Sequence, residues 1–314
     1  MQYITQNRHG YSVDFSPYFA DRIACVTGEN FGIAGPGTLY IIDAQPQGLL
    51  LNKRLEWKSS LFDCCWSEIN DNIIVTCSGD GSIQIWNISA DNAPVAVMKD
   101  HLQEVYCVDW TKRRNAPQHV ISASWDKDIK LWDPQKGICL ATYSGHENVA
   151  YCATWSPHYL AMFASAAGDG TIRFWDCRTP SRCLKIINDG RGEILHCDWN
   201  KYNKDVIISC STDNILRCWD LRNAKIPTIT LPGHQYAVKK VKFSPHKENI
   251  VASCSYDLTV RLWNIALPNP MLEVIEHHSE FVTGLNFNLH RPGQIVDCAW
   301  DEHVKVYSPM SLQM

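Results

Sequence analysis

Residues 165–176 read SAAGDGTIRFWD, and three features of this stretch suggest three different interpretations. Ser165 and Asp169, together with His146 upstream, are the residue types of a hydrolase triad. The GDG sequence could belong to a glycine-rich loop that binds phosphate. The closing Trp175-Asp176 pair could instead end a structural repeat that carries no chemistry. Recurrence of the stretch elsewhere in the chain decides among these interpretations.

A Trp-Asp or Trp-Asn pair recurs five times at a nearly constant spacing. Its tryptophans stand at positions 86, 132, 175, 219 and 263, with intervals of 46, 43, 44 and 44 residues. One further period in each direction leads to Ile42-Asp43 and to Tyr307. The 314 residues therefore hold seven registers. Short alternating apolar runs separated by turn residues fill each period, which is typical of strands.

Two further series of residues repeat with the same period. An aromatic residue ends one alternating run in every repeat, at Phe15, Trp66, Trp110, Trp155, Trp199, Phe243 and Phe287. In six repeats an aspartate stands six residues before the tryptophan of the Trp-Asp or Trp-Asn pair, or before Tyr307 in the last repeat. These residues are Asp80, Asp126, Asp169, Asp213, Asp257 and Asp301. The chain thus resembles the WD-repeat β-propellers. We expect an all-β, seven-bladed propeller formed by residues 1–314 as a single domain.

The two ends of the chain indicate how the ring closes. Only seven residues follow Tyr307, too few for a fourth strand and its turn, whereas the strand-like run QYITQ precedes the first inner strand. We therefore predict that the N-terminal strand completes the last blade, which removes an open sheet edge.

Composition excludes several classes of protein. A net charge of −4 and a pI near 6.3 argue against nucleic-acid binding, which needs a basic surface. No apolar run is long enough to span a membrane, and the N-terminus lacks a signal-peptide pattern. We expect a reducing compartment, in which the fourteen cysteines act as small apolar residues. Because Cys-x-x-Cys spacing is absent, no zinc site is expected.

Resemblance to WD repeats implies a buried hydrogen-bonded quartet of histidine, serine, aspartate and tryptophan within a blade. Three repeats contain the complete set: His101, Ser122, Asp126 and Trp132; His146, Ser165, Asp169 and Trp175; His234, Ser253, Asp257 and Trp263. An enzyme needs one exposed nucleophile, whereas three equivalent sets indicate architecture. The GDG precedes a strand and not a helix, so no phosphate loop is expected. We predict no catalytic residues, no cofactor and no metal, although His277-His278 could suggest one.

The repeat pattern does not account for some of the large or charged residues. Trp125, Trp300 and Tyr256 each precede a repeat aspartate, and Trp57 occupies the position of the repeat histidine, which we place on a loop at the same face. Local packing over loops is one explanation, and an exposed partner site is the other. Acidic residues fall near the same rim, at Asp63, Glu104, Glu193 and Glu280. Such a face would suit a cationic, amphipathic helix.

Within the WD-repeat proteins, the chain closely resembles the receptors for type 2 peroxisomal targeting signals. The resemblance rests on NFGIAGPGTLYIID, FDCCWSE, CDWNKYN, ASCSYDLTVRLW and HHSEF, and it covers Gly10 to about Tyr307. It implies a cytosolic receptor that shuttles to the peroxisome. Such receptors bind an N-terminal signal on matrix enzymes together with a co-receptor peroxin, and they engage the peroxisomal docking machinery.

The resemblance also implies what the signal looks like. It begins with a basic and an aliphatic residue, and a His or Gln with another apolar residue follows about two helical turns later, so that all four share one helical face. We expect Trp125, Trp300, Tyr256 and Trp57 to contact its apolar stripe. Its basic residue should meet an acid, with Glu104 preferred over Asp63 and Glu193.

Two other functions remain open from the sequence. A generic propeller scaffold, such as a ubiquitin-ligase substrate adaptor or a binder of basic histone tails, would use the same acidic face. An enzyme with a site in the central channel would need a polar residue set confined to one or two repeats, and the sequence offers no convincing one.

Overall fold

The structure is a computed structural model that describes residues 1–313 as seven four-stranded antiparallel sheets. The chain begins with β1 (Gln2–Ile4). Blade 1 contains β2 (His9–Phe15), β3 (Arg22–Gly28), β4 (Gly37–Gln45) and β5 (Gly48–Trp57). Blade 2 contains β6 (Leu61–Trp66), β7 (Ile73–Ser78), β8 (Ser82–Asn87) and β9 (Ala96–Lys99). Blade 3 contains β10 (Val105–Trp110), β11 (Val120–Ser124), β12 (Ile129–Asp133) and β13 (Ile138–Tyr143).

The remaining blades repeat this plan. Blade 4 contains β14 (Ala150–Trp155), β15 (Met162–Ala167), β16 (Thr171–Asp176) and β17 (Cys183–Asn188). Blade 5 contains β18 (Ile194–Trp199), β19 (Val206–Ser211), β20 (Leu216–Asp220) and β21 (Ile229–Leu231). Blade 6 contains β22 (Val238–Phe243), β23 (Ile250–Ser255), β24 (Val260–Asn264) and β25 (Met271–Ile275). Blade 7 contains β26 (Val282–Phe287), β27 (Ile295–Ala299) and β28 (His303–Tyr307). Short 3-10 turns occupy Asn30–Gly32 and Met310–Leu312.

The first strands of the seven blades form a closed ring around a central channel, since each contacts the next and β2 contacts β26. Neighbouring inner strands bond to each other close to their final residues: Trp155 N donates to the Asp109 side chain and Phe243 N donates to the Asp198 side chain, both at 2.8 Å. The inner strands therefore all run in the same direction. We call the end where they begin the upper mouth and the end where they finish the lower mouth.

The repeated aromatic residues form the packing between blades. Trp86, Trp132, Trp175, Trp219 and Trp263 are all buried, as are the aromatic residues that end the inner strands. Burying a large apolar side chain contributes about 2–3 kcal/mol. The period of 44 residues therefore repeats one core unit, and the predicted seven-bladed propeller is confirmed. The predicted single domain extends to Met314, which lies outside the described residues.

The N-terminal strand closes the ring, as the sequence predicts. Strand β1 pairs antiparallel with β28 in the register Gln2↔Lys305, Tyr3↔Val304 and Ile4↔His303. The terminal ammonium of Met1 donates to Val306 O at 2.8 Å. The last blade thus draws strands from both ends of the chain, and its edge is paired.

Hydrogen-bonded quartets lie within blades 3, 4 and 6. In blade 3, His101 Nδ1 lies 2.8 Å from Asp126 and its Nε2 lies 2.7 Å from Ser122 Oγ, which also accepts the Trp132 indole N–H at 2.8 Å. Corresponding distances in blades 4 and 6 lie between 2.7 and 2.9 Å. A neutral histidine that donates from Nδ1 and accepts at Nε2 satisfies every member of the set.

Hydrogen bonding within a quartet lowers the pKa of its aspartate. Burial alone would raise the pKa of Asp126, but hydrogen bonds from His101 and from two backbone amides lower it to about 2. Because this folded-state pKa lies below the ordinary value of 3.8, the quartet contributes stability at neutral pH. That contribution is lost as the pH falls through about 2.

Three other blades replace members of the quartet. In blade 2, Trp86 donates to Thr76 at 2.8 Å, and Gln84 instead of a histidine accepts the Thr76 hydroxyl at 2.7 Å. In blade 5, the buried Arg217 pairs with Asp213 at 2.5 Å and with Asp189 at 2.9 Å. The blade 2 arrangement pairs its polar groups by hydrogen bonds, whereas the blade 5 arrangement pairs charges but leaves Arg217 Nε without a hydrogen-bond partner among residues 1–313.

Blade 7 places a histidine between two carboxylates. His278 bonds to Asp301 through Nδ1 at 2.8 Å and to Asp297 through Nε2 at 3.0 Å, where other blades have a hydroxyl. Burial lowers the pKa of His278, but the hydrogen bonds to Asp297 and Asp301 outweigh burial and raise it to about 9. The histidine of this closing blade is therefore an imidazolium at neutral pH.

Among the described residues, no helix has the length and apolar character needed to cross a bilayer.

Deleting residues 1–7 should lower the melting temperature by about 5–10 °C, because it removes the strand that pairs with β28. Differential scanning calorimetry measures the change. A matched control is the double variant Gln2→Ala, Ile4→Ala, which alters exposed side chains but keeps the backbone pairing, and which should melt near the wild-type temperature. An unchanged melting temperature in the deletion would refute the closing role of β1.

The stability of the wild-type protein should contain a term that declines between pH 6.5 and 9. The folded-state pKa of His278 lies above its ordinary value of 6.5, so this term is fully present below pH 6.5 and is lost as the pH rises through about 9. Asp297→Ser restores the hydroxyl of the other blades and should flatten the decline. Urea unfolding followed by tryptophan fluorescence measures both slopes, and parallel slopes would contradict the prediction.

Candidate functional site

A ring of side chains surrounds the upper mouth. Each of its members stands four residues before the aromatic that ends an inner strand, so all seven lie at one level of the channel. The ring consists of Tyr11, Phe62, Tyr106, Tyr151, Leu195, Lys239 and Thr283. Its four successive aromatic members come from blades 1–4, where Tyr11 and Phe62 are buried and Tyr106 and Tyr151 are half-buried.

These aromatic side chains continue into a longer series that we call the aromatic belt. Successive ring centroids lie 4.8 to 5.9 Å apart, within the range of favourable aromatic contacts. In spatial order, the belt consists of Tyr256, Phe281, Trp300, Tyr11, Phe62, Tyr106 and Trp125. It follows the upper mouth from blade 6 through blades 7, 1 and 2 to blade 3.

Three of the four aromatic residues predicted from the sequence belong to this belt. Trp125 is 37% exposed and stacks on Tyr106 at 5.8 Å, whereas Tyr256 and Trp300 are half-buried. The buried indole Nε1 of Trp300 has no hydrogen-bond partner among residues 1–313. The core residues Trp57 and Trp155 also leave this donor unpaired, so its cost in free energy is not peculiar to the belt.

The fourth aromatic residue, Trp57, lies elsewhere, and the prediction that places it on a loop of the upper rim is wrong. It ends β5, the outer strand of blade 1, where it pairs with Gly37. Its ring packs edge-on against the buried Trp86 at 6.4 Å and joins the core between blades 1 and 2. Of the two readings that the sequence leaves open, local packing is the one seen for Trp57.

Two of the three predicted acidic residues lie at the upper mouth. The backbone carbonyl of Glu104 accepts a hydrogen bond from Trp125 N at 3.0 Å, so this half-buried residue lies beside the last ring of the belt. Glu193 accepts the Tyr151 hydroxyl at 2.8 Å. Burial and this bond raise the pKa of Tyr151, which therefore stays protonated and donates.

Asp63 does not lie on the rim, in contrast to the prediction. It is buried one level below the ring, where it accepts the Val108 N–H at 3.2 Å and lies 3.4 Å from the Lys240 ammonium. Burial raises the pKa of Asp63, but Lys240 and these hydrogen bonds outweigh it, and the pKa is lowered. A carboxylate already paired with a lysine inside the channel is a poor partner for a ligand at the surface.

Sequence reasoning missed several residues of the site. Phe62 and Tyr106 lie at the centre of the belt, and Lys239 places its ammonium 4.3 Å from the Tyr106 ring centroid. Phe31, which is 51% exposed, extends the apolar surface beyond Trp300. Phe62, Tyr106 and Lys239 each stand four residues before the aromatic that ends an inner strand, and this shared position is the sequence signal that could have identified them.

Several acidic side chains lie near the rim of the upper mouth. Within the described part of the chain, four glutamates near this mouth form no ion pair: Glu104, Glu147, Glu193 and Glu280. Glu147 directly follows the quartet residue His146, and Glu280 directly precedes Phe281 of the belt. An apolar belt flanked by unpaired carboxylates can bind a ligand that is apolar on one face and basic at one end.

One group of side chains has ligand types suited to a metal ion. His277, His278 and Asp297 offer atoms within 4.8 Å of one another. Each of them already takes part in a hydrogen bond of the blade 7 network, and Tyr307 also donates to Asp297 at 2.7 Å. The group therefore has a structural explanation.

Comparisons with known proteins give consistent similarities. A family model described as EIPR1 beta-propeller matches residues 134–263, and one described as WD domain, G-beta repeat matches residues 53–87 and 92–133. The peroxisomal targeting signal 2 receptor of Homo sapiens is 49% identical over 162 residues, which cover 52% of this chain and 50% of that protein. The protein of the same name from Dictyostelium discoideum is 42% identical over 129 residues, 40% of each chain.

A longer match is found with a more distant relative. The peroxisomal targeting signal 2 receptor of Saccharomyces cerevisiae is 29% identical over 238 residues, 66% of this chain and 63% of that protein. The chain spans about half the length of the human and mouse relatives that it matches. The ring of seven blades makes the chain a seven-bladed β-propeller, and its repeats and these similarities make it resemble WD-repeat proteins and the proteins named peroxisomal targeting signal 2 receptor.

Proposed function

We propose that this protein is a receptor for type 2 peroxisomal targeting signals and binds them as amphipathic helices across the upper mouth. The observation that carries the proposal is the aromatic belt with unpaired glutamates beside it. The protein acts by binding and not by catalysis. The names of the similar proteins from human, yeast and slime mould support the same function.

The chemistry of the signal matches that surface. A helix rises about 1.5 Å per residue, so anchors two turns apart are separated by roughly 11 Å, a length that the belt can accommodate with several rings. The basic residue at the start of the signal would face Glu104, next to Trp125. The positive end of the helix dipole points the same way, so a carboxylate there attracts both charges.

A second protein would complete the complex. Ile33 and Leu102 are 87% and 89% exposed, and they lie in upper-mouth loops outside the belt. Such apolar side chains, left uncovered by a single helix, offer contacts to a co-receptor. The receptor would collect matrix enzymes in the cytosol and shuttle with them to the docking machinery of the peroxisome.

Glu104→Lys should reverse the charge preference of the site. It should weaken binding of a fluorescent type 2 signal peptide by at least tenfold, since two like charges would meet, and it should restore binding to a peptide whose basic residue is replaced by glutamate. Fluorescence anisotropy with purified co-receptor present measures both affinities.

A matched control for the charge change is Asp91→Lys. Asp91 is exposed in the loop after β8, away from the upper mouth, so the variant should bind both peptides like wild type. Equal discrimination between the peptides by Glu104→Lys and wild type would remove Glu104 from the site. If affinity depended only on the charge of the peptide, and not on its apolar residues, the result would favour the alternative function, a binder of basic histone tails.

Trp300→Ala should weaken binding of the signal peptide by about tenfold, because Trp300 is a member of the belt. The propeller should remain folded, because Trp300 is only half-buried. Trp263→Ala removes a buried indole of the blade 6 quartet and should destabilise the fold by about 3–5 kcal/mol. Thermal unfolding and peptide binding, measured on both variants, separate the two roles. Wild-type affinity in Trp300→Ala would contradict the belt as the binding surface.

A further inference from the structure

The turn between the second and third strands is a long loop in blade 1. Three or four residues connect these strands in every other blade, whereas residues 29–36, which we call the blade 1 loop, connect β3 to β4. In the other blades this turn carries the repeat aspartate at the upper mouth, so the blade 1 loop lies at the same rim. Blade 1 has Pro36 in place of that aspartate and additional chain beside the proposed site.

The blade 1 loop covers the middle of the aromatic belt. Its Gly32 lies so close to the belt that an added Cβ atom would stand 2.3 Å from Tyr11 Oη and 3.1 Å from the Phe62 ring. Tyr11 and Phe62 are only 5% and 9% exposed. A helix laid across the belt therefore cannot rest on these two rings while the loop is in place. At this point of the mouth, the helix meets the loop itself.

Phe31 is the aromatic residue that the blade 1 loop exposes. Its side chain is 51% accessible, and its ring centroid lies 5.4 Å from that of Trp300. The ring stacks on the His9 imidazole at 4.1 Å with an interplanar angle of 12°. His9 is held in turn, because its Nδ1 lies 2.8 Å from Trp300 O. The imidazole thus covers one face of the Phe31 ring, and half of the side chain remains accessible to a ligand.

Polar contacts hold the blade 1 loop in this position. Glu29 N donates to Pro36 O at 3.2 Å, which joins the two ends of the loop. The side chain of Glu29 forms an ion pair with the buried Arg8, whose Nε donates to Thr38 at 3.1 Å. Phe31 is therefore presented by an anchored loop, and an anchored ring loses less entropy when a ligand binds.

The backbone at Phe31 is left-handed, with φ 55° and ψ 32°. These angles are unfavourable for a bulky side chain. Leu258 and Glu302 also have positive φ, but they occupy the repeat turn position that Gly81 holds in blade 2. Glycine or asparagine would adopt the conformation of Phe31 at a lower cost, so the backbone itself does not call for an aromatic residue here.

Spacing along the belt brings one part of the proposed signal helix to Phe31. The aliphatic residue next to the basic one would lie near Tyr106, beside the preferred acid. From Tyr106 onward, successive ring centroids are separated by 4.8, 5.1 and 5.9 Å and belong to Phe62, Tyr11 and Trp300. Residues two helical turns apart on one face are separated by roughly 11 Å. The second apolar residue of the signal would then lie above Tyr11 and Trp300, where Phe31 is the accessible ring.

We propose that Phe31 is a specificity-determining residue of the signal site and contacts the second apolar residue of the signal helix together with Trp300. The contact favours a side chain long enough to reach both rings, so leucine is preferred over alanine at this position. This assignment rests on the function proposed above, and it makes the blade 1 loop a part of the binding surface and not a cover over it.

The test is a double-mutant cycle measured by fluorescence anisotropy with purified co-receptor present. Two type 2 signal peptides differ only in the second apolar residue, which is leucine in one and alanine in the other. Wild type should bind the leucine peptide about tenfold more tightly, and Phe31→Ala should bind both peptides with similar affinity. The matched control is Ile33→Ala, which alters an 87% exposed residue of the same loop and should keep the tenfold difference.

A second variant separates the ring from the backbone. Phe31→Gly removes the ring and suits the left-handed conformation, so it should melt at or above the temperature of Phe31→Ala and should also fail to discriminate between the peptides. Differential scanning calorimetry shows that both variants are folded when they are assayed. Loss of discrimination in two folded variants would then belong to the missing ring.

Three results would overturn the assignment and leave the receptor function standing. They are a tenfold difference that persists in Phe31→Ala, one that persists in Phe31→Gly, and tighter binding of the leucine peptide by Phe31→Ala, which would show that the ring obstructs the belt. Failure of the wild-type protein to bind either peptide would instead refute the proposed function itself.

Discussion

The hydrogen bond between a loop histidine and a turn aspartate is the interaction on which the upper face depends. In each complete quartet the histidine lies just before an inner strand and the aspartate lies in the turn between the second and third strands. The aspartate also accepts the backbone N–H of the residue that follows the histidine, at 3.0 Å for Leu102 and 3.1 Å for Glu147. Two loops are thereby fixed against each other at the upper mouth. The residue before each aspartate is held in place by the same bonds: Trp125 precedes Asp126, Tyr256 precedes Asp257, and Trp300 precedes Asp301. The buried network thus holds these three rings of the proposed site in place, and preorganised side chains lose less entropy when a ligand binds.

Sequence repetition revealed the scaffold more fully than the site. Closure by β1 follows from counting strands, and the quartets follow from a period that places the same residue type at the same level of each blade. The position of Trp57 could not be read from the period, because it occupies the histidine slot but continues an outer strand that is longer than in other blades. Asp63 has a partner from blade 6, 177 residues away, and no local pattern shows that Lys240 reaches across the channel. Phe62 and Tyr106 were missed because they alternate correctly with core residues and so look like ordinary strand positions.

The two mouths of the channel differ although they are made from the same seven strands. All side chains at one level of the channel come from the same position of the repeat. A substitution at that position therefore changes the surface of the mouth without altering the packing between blades. At the upper level these positions are mostly aromatic, and at the lower level they include paired and unpaired charges. Asp63 and Lys240 lie between the two levels and neutralise each other. The side chains of each mouth can therefore vary while the inter-blade core remains constant.

Hydrogen bonding separates the five repeated tryptophans from some of the other indoles. Every indole of the five repeated Trp-Asp or Trp-Asn pairs donates its N–H to a hydroxyl, at 2.8 to 2.9 Å. The buried Nε1 of Trp300 has no partner among residues 1–313, and neither has that of Trp57 or Trp155, which pack in the core. An unpaired buried donor costs about 1–3 kcal/mol, and because the core tolerates this cost at two positions, the unpaired N–H does not by itself mark the belt as a binding surface. The position of Trp300 distinguishes it from the core indoles, since its ring lies between Phe281 and Tyr11 at the upper mouth. A ligand that covers the belt and offers a carbonyl to this N–H would recover part of the cost.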